Sequence, residues 1–328
     1  MDFSKMPKIH LHYHMDGSCS VDFVQKYMKK LGRDYTSAQL KDMLSAPVDC
    51  GSLAEYLEKF DLPIQCIQTA EDLYGMAKDV IMSAALENVK YAEVRFAPTY
   101  SMQEGLKTRD IIEKVIAGCE AAKDKTGTEY GIIVCAMRHL GNDTGIEMLK
   151  DVREFLGNGV VACDIAGDEK AVSNADMAEY MKFARKYDFP MTIHAGECGS
   201  AKNIRDAVEL GARRIGHGIA MRGNADTIRL CREQKVGIEL CPTSNLQTKA
   251  ISSMDEYPFM EFYNAGLMLS VNTDNSTVSG TTCADEFSRL DRQFGLDDSM
   301  LWKIYKDSVE MSFATDDIKD SLLKEWSL

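Results

Sequence analysis

The chain has 328 residues, 45% hydrophobic and 27% charged, a soluble globular composition long enough to bury a large core without staples. Its net charge of −13 argues against a nucleic-acid binder, which needs clustered Lys and Arg, and favours a small, roughly neutral ligand. Met1–Lys8 has no apolar secretory segment, no apolar run nears the ~18 residues of a spanning helix, and ten scattered cysteines form no CxxC pair. These features predict a cytoplasmic protein with reduced thiols and no membrane partner.

In chain order, eight short runs have strand character: Lys8–His14, Tyr91–Pro98, Gly131–His139, Val160–Gly167, Pro190–Glu197, Arg214–Gly218, Val236–Pro242 and Leu267–Asp274. Amphipathic stretches of helical period lie between them, such as Asn203–Leu210. Strand–helix alternation predicts an α/β fold with a parallel sheet, and eight units is the count of a closed (β/α)8 TIM barrel. No GxGxxG or Walker sequence follows any run, and polar residues gather at the C-terminal ends of many runs; both features disfavour an open doubly wound sheet. The gap from His14 to Tyr91 is the longest and carries helical patterns at Leu53–Phe60 and Ala70–Leu86. It predicts extra helices over the C-terminal mouth, a lid insertion at about 19–90 within a single domain spanning 1–328.

All six histidines fall in or just after these runs. Residues two apart on a strand share a face, so His12 and His14 point together toward the barrel axis near its rim. His194 and Asp274, from other strands, complete three imidazoles and a carboxylate, a set that suits one Zn²⁺ per chain with a position open for water. Glu197, at the end of the fifth run, reads equally as a general acid raised by burial or as a helix-start carboxylate. His217, between two glycines, reads alone as a turn histidine. His10 shares parity with His12, one layer deeper, and is expected to be a buried, hydrogen-bonded core histidine.

Eight ordered motifs resemble those of the adenosine deaminase family of the amidohydrolase superfamily, nearly end to end. They are Pro7-Lys8-Ile9-His10-Leu11-His12-Tyr13-His14-Met15-Asp16-Gly17, Glu93-Val94-Arg95-Phe96-Ala97-Pro98, Met137-Arg138-His139 and Asp164-Ile165-Ala166-Gly167-Asp168-Glu169. His194-Ala195-Gly196-Glu197, Ile215-Gly216-His217-Gly218, Cys241-Pro242-Thr243-Ser244-Asn245-Leu246-Gln247-Thr248 and Asn272-Thr273-Asp274 follow. The resemblance implies zinc-dependent hydrolytic deamination of adenosine and 2′-deoxyadenosine in purine salvage. It implies that His12, His14, His194 and Asp274 bind zinc, that Asp274 also contacts the attacking water, and that His217 orients or deprotonates that water. It further implies that Glu197 protonates purine N1, that the Gly167 backbone contacts N3, that Asp16 meets the ribose, and that Phe60 belongs to an apolar gate.

The chain departs from the family pattern at His10, where Glu is frequent, at Met15 for Leu, and at Asn275, where many members carry an Asp facing N7. An amide donates to N7 in its ordinary state, so purine recognition is expected to survive. The rival readings are a deaminase of a related aminopurine (adenine, methylthioadenosine or aminodeoxyfutalosine), a phosphoester hydrolase, and a non-catalytic zinc-binding module. The expected partner is a small purine nucleoside rather than a nucleic acid; the sequence leaves the oligomeric state open.

Overall fold

The computed structural model describes residues 2–47, 50–198 and 200–326. Eight strands lie in it: β1 (Lys8–His14), β2 (Val89–Phe96), β3 (Glu129–Met137), β4 (Val160–Ala166), β5 (Thr192–Ala195), β6 (Arg214–His217), β7 (Gly237–Leu240) and β8 (Met268–Val271). Neighbours pair in parallel as β1-β2-β3-β4 and β5-β6-β7-β8, and helices follow the strands, so the fold is the expected TIM barrel. The strands are buried on both sides. On β1 the outward set Ile9 and Leu11 packs with Tyr305 and Val309, while His10, His12 and His14 take the opposite parity.

The two four-stranded ladders meet at two thin seams. Between β4 and β5 a single bridge joins Cys163 to Met191, with Cys163 N–H donating to the Pro190 carbonyl at 2.9 Å. There the Asp164 side chain supplies a further acceptor, taking the His194 N–H at 3.2 Å. Between β8 and β1 a bridge joins Tyr13 to Asp274, which donates to the His12 carbonyl at 3.1 Å and accepts from His14 N–H at 2.9 Å. Below it Asn272 Oδ1 accepts from Leu11 N–H at 2.8 Å and His12 N–H at 3.1 Å, replacing backbone carbonyls. Both seams therefore satisfy strand N–H groups with side chains, and each carries candidate metal ligands.

Several strands stop earlier than their apolar runs suggested. β3 ends two residues before His139, β5 two before Glu197, and β8 three before Asp274. The chain leaves the ladder there to build loops. His217 and Asp274 adopt left-handed backbones at φ 67° and 64°, a conformation non-glycine residues rarely hold unless their surroundings enforce it.

In the long first connection, helices span Val21–Lys30, Ser37–Leu44, Leu53–Leu57 and Asp61–Gln65. The helix Ala70–Leu86 packs along Thr108–Thr126, as a barrel helix does. The shorter helices are tied to the short helix Ser276–Ser279 that follows Asn275. Ala46 N–H donates to the Val278 carbonyl at 2.7 Å, Ser45 Oγ to the Thr277 carbonyl at 2.8 Å, and Tyr56 Oη pairs with Ser279 Oγ at 2.6 Å.

Asn272→Leu leaves two buried N–H groups unpaired, and each such loss costs roughly 1–3 kcal/mol. We expect urea unfolding to report a stability loss of about 2–6 kcal/mol. A loss below about 0.5 kcal/mol would show that the seam does not depend on this side chain.

Candidate active site

A cavity of about 310 Å³ opens at the C-terminal ends of the strands. Its floor carries His14, His194, His217 and Asp274, with Glu197 on one wall and Gly167 on another. Asp16 and Asn275 border it beside β1 and β8, and Phe60, with Leu53, Tyr56, Leu57 and Ile64, covers it from the inserted helices. His12 lies beneath, fully buried. All ten residues singled out in the sequence thus meet around one cavity.

Nitrogen or oxygen atoms of His12, His194, His217 and Asp274 lie within 4.8 Å of one another. His14 Nε2 stands 3.2 Å from His194 Nε2 and 3.4 Å from Asp274 Oδ1, and His12 Nε2 stands 3.2 Å from the same oxygen. His12 Nε2 is buried without a hydrogen-bond partner among the described residues. A buried lone nitrogen converging with two other imidazoles and a carboxylate is what a metal ion would satisfy.

Buried carboxylates hold the far sides of these rings. Glu239 Oε2 lies 2.8 Å from His12 Nδ1, and Asp164 Oδ2 lies 2.9 Å from His194 Nδ1, the latter off the axis of an ideal hydrogen bond. Each carboxylate favours a proton on Nδ1 and leaves the Nε2 lone pair facing the centre. Arg95 joins them, at 2.8 Å from Asp164 and 2.9 Å from Glu239; Arg214 pairs with Glu239 at 2.6 Å and with Glu93. Burial would raise Glu239, but Arg95 and Arg214 hold its carboxyl well below the usual range. Gly216 leaves room for the His12 ring: a Cβ there would come within 2.9 Å of His12 Cε1.

His217 is oriented differently. Tyr257 Oη donates to Asn245 Oδ1 at 3.4 Å, which turns the Asn245 amide toward His217 Nδ1 at 3.0 Å. With Nδ1 accepting, the ring proton sits on Nε2, which faces Glu197 Oε2 at 3.7 Å. Burial, then the neighbouring His12, holds His217 well below its usual range and so neutral.

Glu197 keeps only 10% of its side chain exposed. Burial, with Asp274 and Glu169 adding like charge, pushes it up to about 8, so its carboxyl stays protonated at neutral pH. Asp274 has the opposite character. Burial would raise it, but His12, His14 and His217 hold it well below the carboxylate range, and Ser244 Oγ donates to its Oδ2 at 2.6 Å. The loop carrying Glu197 is fixed by Glu169, which accepts from Gly196 N–H at 2.8 Å, Cys198 N–H at 2.6 Å and Asn203 Nδ2 at 2.6 Å. Gly167 holds φ 99°, open to glycine, and so turns its backbone along the cavity wall.

Sequence reasoning gave no role to Glu239, Asp164, Arg95, Arg214, Ser244, Asn245 or Glu169. The available signal was charge inside apolar strand runs: Glu and Arg in Tyr91–Phe96, Arg214 opening β6, and Glu239 in Gly237–Leu240. His10 is buried as expected, its Nε2 3.1 Å from both the N–H and Oγ1 of Thr273.

Residues 7–327 match the family model described as adenosine deaminase. An adenosine deaminase of Clostridium perfringens is 38% identical over 326 residues, covering 98% of each chain, and one of Vibrio atlanticus is 40% identical over 328 residues, again covering 98% of each. Among solved structures, an N6-mAMP deaminase of Arabidopsis superposes with a TM-score of 0.86 at 25% identity, covering 98% of this chain and 97% of its own. An adenine deaminase of Arthrobacter aurescens shares the fold, with a TM-score of 0.87 at 22% identity and 98% coverage of both chains.

Protein prepared without added metal is expected to carry about one divalent transition-metal ion per chain by elemental analysis. His194→Ala should lose the ion, whereas Glu197→Gln should keep it. Undiminished metal in His194→Ala would contradict the site.

Proposed function

The chain belongs to the adenosine deaminase family, and from that premise we propose that this hydrolytic deaminase acts on adenosine and 2′-deoxyadenosine, releasing ammonia and leaving inosine or 2′-deoxyinosine. The observation that carries this reading is the gathering around one cavity of a buried carboxyl, Glu197, and a cluster of imidazoles with Asp274.

The purine lies between these two sides. Glu197 donates its proton to N1, which draws electrons from C6 and opens that carbon to attack. His12, His14, His194 and Asp274 hold a Zn²⁺ ion in this reading, the donor set suiting zinc. When bound, zinc lowers the pKa of water from 15.7 to about 7, supplying a nucleophile at neutral pH. The Asp274 carboxylate accepts the proton that the attacking water sheds and returns it to the departing amine. His217, neutral with its proton on Nε2, donates to the incoming oxygen; its tautomer favours orientation over deprotonation. Asn275, buried at the cavity edge, offers its amide N–H to N7, the Gly167 backbone meets N3, and Asp16 meets the sugar. Leu53, Leu57, Phe60 and Ile64 lie over the base as a lid that excludes water.

The charge of the cavity favours a nucleoside over a nucleotide. Arg138 is the one Lys or Arg among the described lining residues. Its guanidinium donates to the Val172 carbonyl at 3.0 Å and the His194 carbonyl at 2.7 Å. Asp16, Asp61 and Asp168 face the same space and would repel a phosphate. The ten free cysteines suit the reducing cytoplasm in which we place the enzyme, in purine salvage.

The test is ammonia release from adenosine, 2′-deoxyadenosine, adenine, methylthioadenosine and AMP. The two nucleosides are expected to react roughly a hundredfold or more faster than adenine and AMP, because a site built for a sugar hydroxyl and no phosphate rejects both. Glu197→Gln should cost roughly 10²–10⁴-fold in turnover. Equal rates on adenosine and adenine would reject the nucleoside reading.

A further inference from the structure

Glu197 is reached from two sides. The front cavity holds its carboxyl against the base. A second cavity of about 250 Å³, lined by Lys170, Cys198, Arg222, Thr248 and Lys249, reaches the same residue from behind. Glu197 is the one side chain common to both linings among the described residues. Thr248 is 6% exposed and lines only the rear cavity. Its Oγ1 is buried without a hydrogen-bond partner among the described residues. Thr248 and Glu197 border this rear cavity together, and Thr248 favours the ionised form of the Glu197 carboxyl. An unpartnered buried hydroxyl facing a polar opening calls for water.

The deamination read above, on which this inference rests, spends the Glu197 proton whenever the amine leaves as ammonium. Each turnover breaks the Glu197 O–H bond and forms the N1–H bond that the product keeps. Glu197 is left a carboxylate, shut off from solvent in front by the purine and the lid. We propose that the rear cavity is the route by which Glu197 regains its proton, with the Thr248 hydroxyl as the relay.

Thr248 Oγ1 gives its proton to the carboxylate and takes one from a rear water, which is recharged by a solvent acid. At the front, the two protons of the attacking water leave with the amine. The sum is adenosine, water and one solvent proton in, and inosine and ammonium out. The cations Lys170, Arg222 and Lys249 at the rear, of which Arg222 also pairs with Glu256 at 3.3 Å, give anionic acids such as dihydrogen phosphate access to an otherwise acidic chain. Asp274, Glu169, His12, His217 and Arg138 are the charged or titratable groups facing Glu197 from the barrel side, and none of them lines the rear cavity. Thr248 acts through Glu197 and is a positioning residue, not a catalytic one.

The test separates the first turnover from later ones by rapid mixing with adenosine at neutral pH and low buffer concentration. Thr248→Val removes the relay and keeps the shape. Its first turnover is expected to match the native rate within about twofold, because Glu197 starts protonated. Repeated turnover should fall by about tenfold or more, within the range that proton transfer controls. Thr248→Ser should restore it. Ala250→Leu, which narrows the rear cavity without touching the front, should slow repeated turnover in the same way. If Thr248→Val slows first and later turnovers equally, or slows neither, the rear route is overturned while the deaminase reading stands. If the native chain releases no ammonia from adenosine, both are overturned.

Discussion

The site depends on two carboxylates that the substrate never meets. Glu239 and Asp164 sit inside the barrel and take the Nδ1 sides of His12 and His194. An imidazole offers a lone pair on one nitrogen at a time, and which one is decided by what the other nitrogen bonds. Without these carboxylates the two rings could present N–H groups to the centre and repel a cation. Arg95 and Arg214 make the arrangement tenable, since carboxylates buried without positive partners would take up protons. Removing one member of such a network leaves an uncompensated charge, so the network is a constraint on geometry before it is a source of stability.

The closure of the barrel serves the same end. His12, His14 and Asp274 flank the β8–β1 seam, and His194 stands beside the β4–β5 seam, where Asp164 both accepts its backbone N–H and approaches its ring. One carboxylate thereby sets a strand's position and a side chain's tautomer together. The left-handed backbones of His217 and Asp274 lie at the same rim. Holding non-glycine residues there costs ~1–3 kcal/mol each, which the surrounding hydrogen bonds must offset.

Much of this could be read from the chain. The α/β alternation, the count of eight and the parity of His12 and His14 follow from periodicity alone. The assignment of His217, Asp16, Phe60, Gly167 and Asn275 came from motif resemblance, and the structure brings each to the cavity. Strand ends were overrun at β3, β5 and β8 because the runs were carried on to the polar residues that follow, Arg138–His139, Gly196–Glu197 and Asn272–Asp274, and the backbone turn that ends the ladder there leaves no mark in composition. Glu239 and Arg214 escaped notice because a charge in a short apolar strand has no local partner in sequence. Glu239 meets Arg95 at a separation of 144 residues, a contact only the closed barrel creates. Asn245 escaped for a related reason: its meaning lies in the His217 nitrogen it faces.

The central claim is that buried partners fix the imidazole tautomers before any ligand arrives. The direct test is nitrogen-15 NMR of the histidine side chains, with resonances assigned by single His→Asn variants. The account predicts that His12 and His194 carry their proton on Nδ1 and that His217 carries its proton on Nε2, all three without exchange between tautomers. A His12 or His194 ring protonated on Nε2, or rings averaging between the two forms, would contradict it.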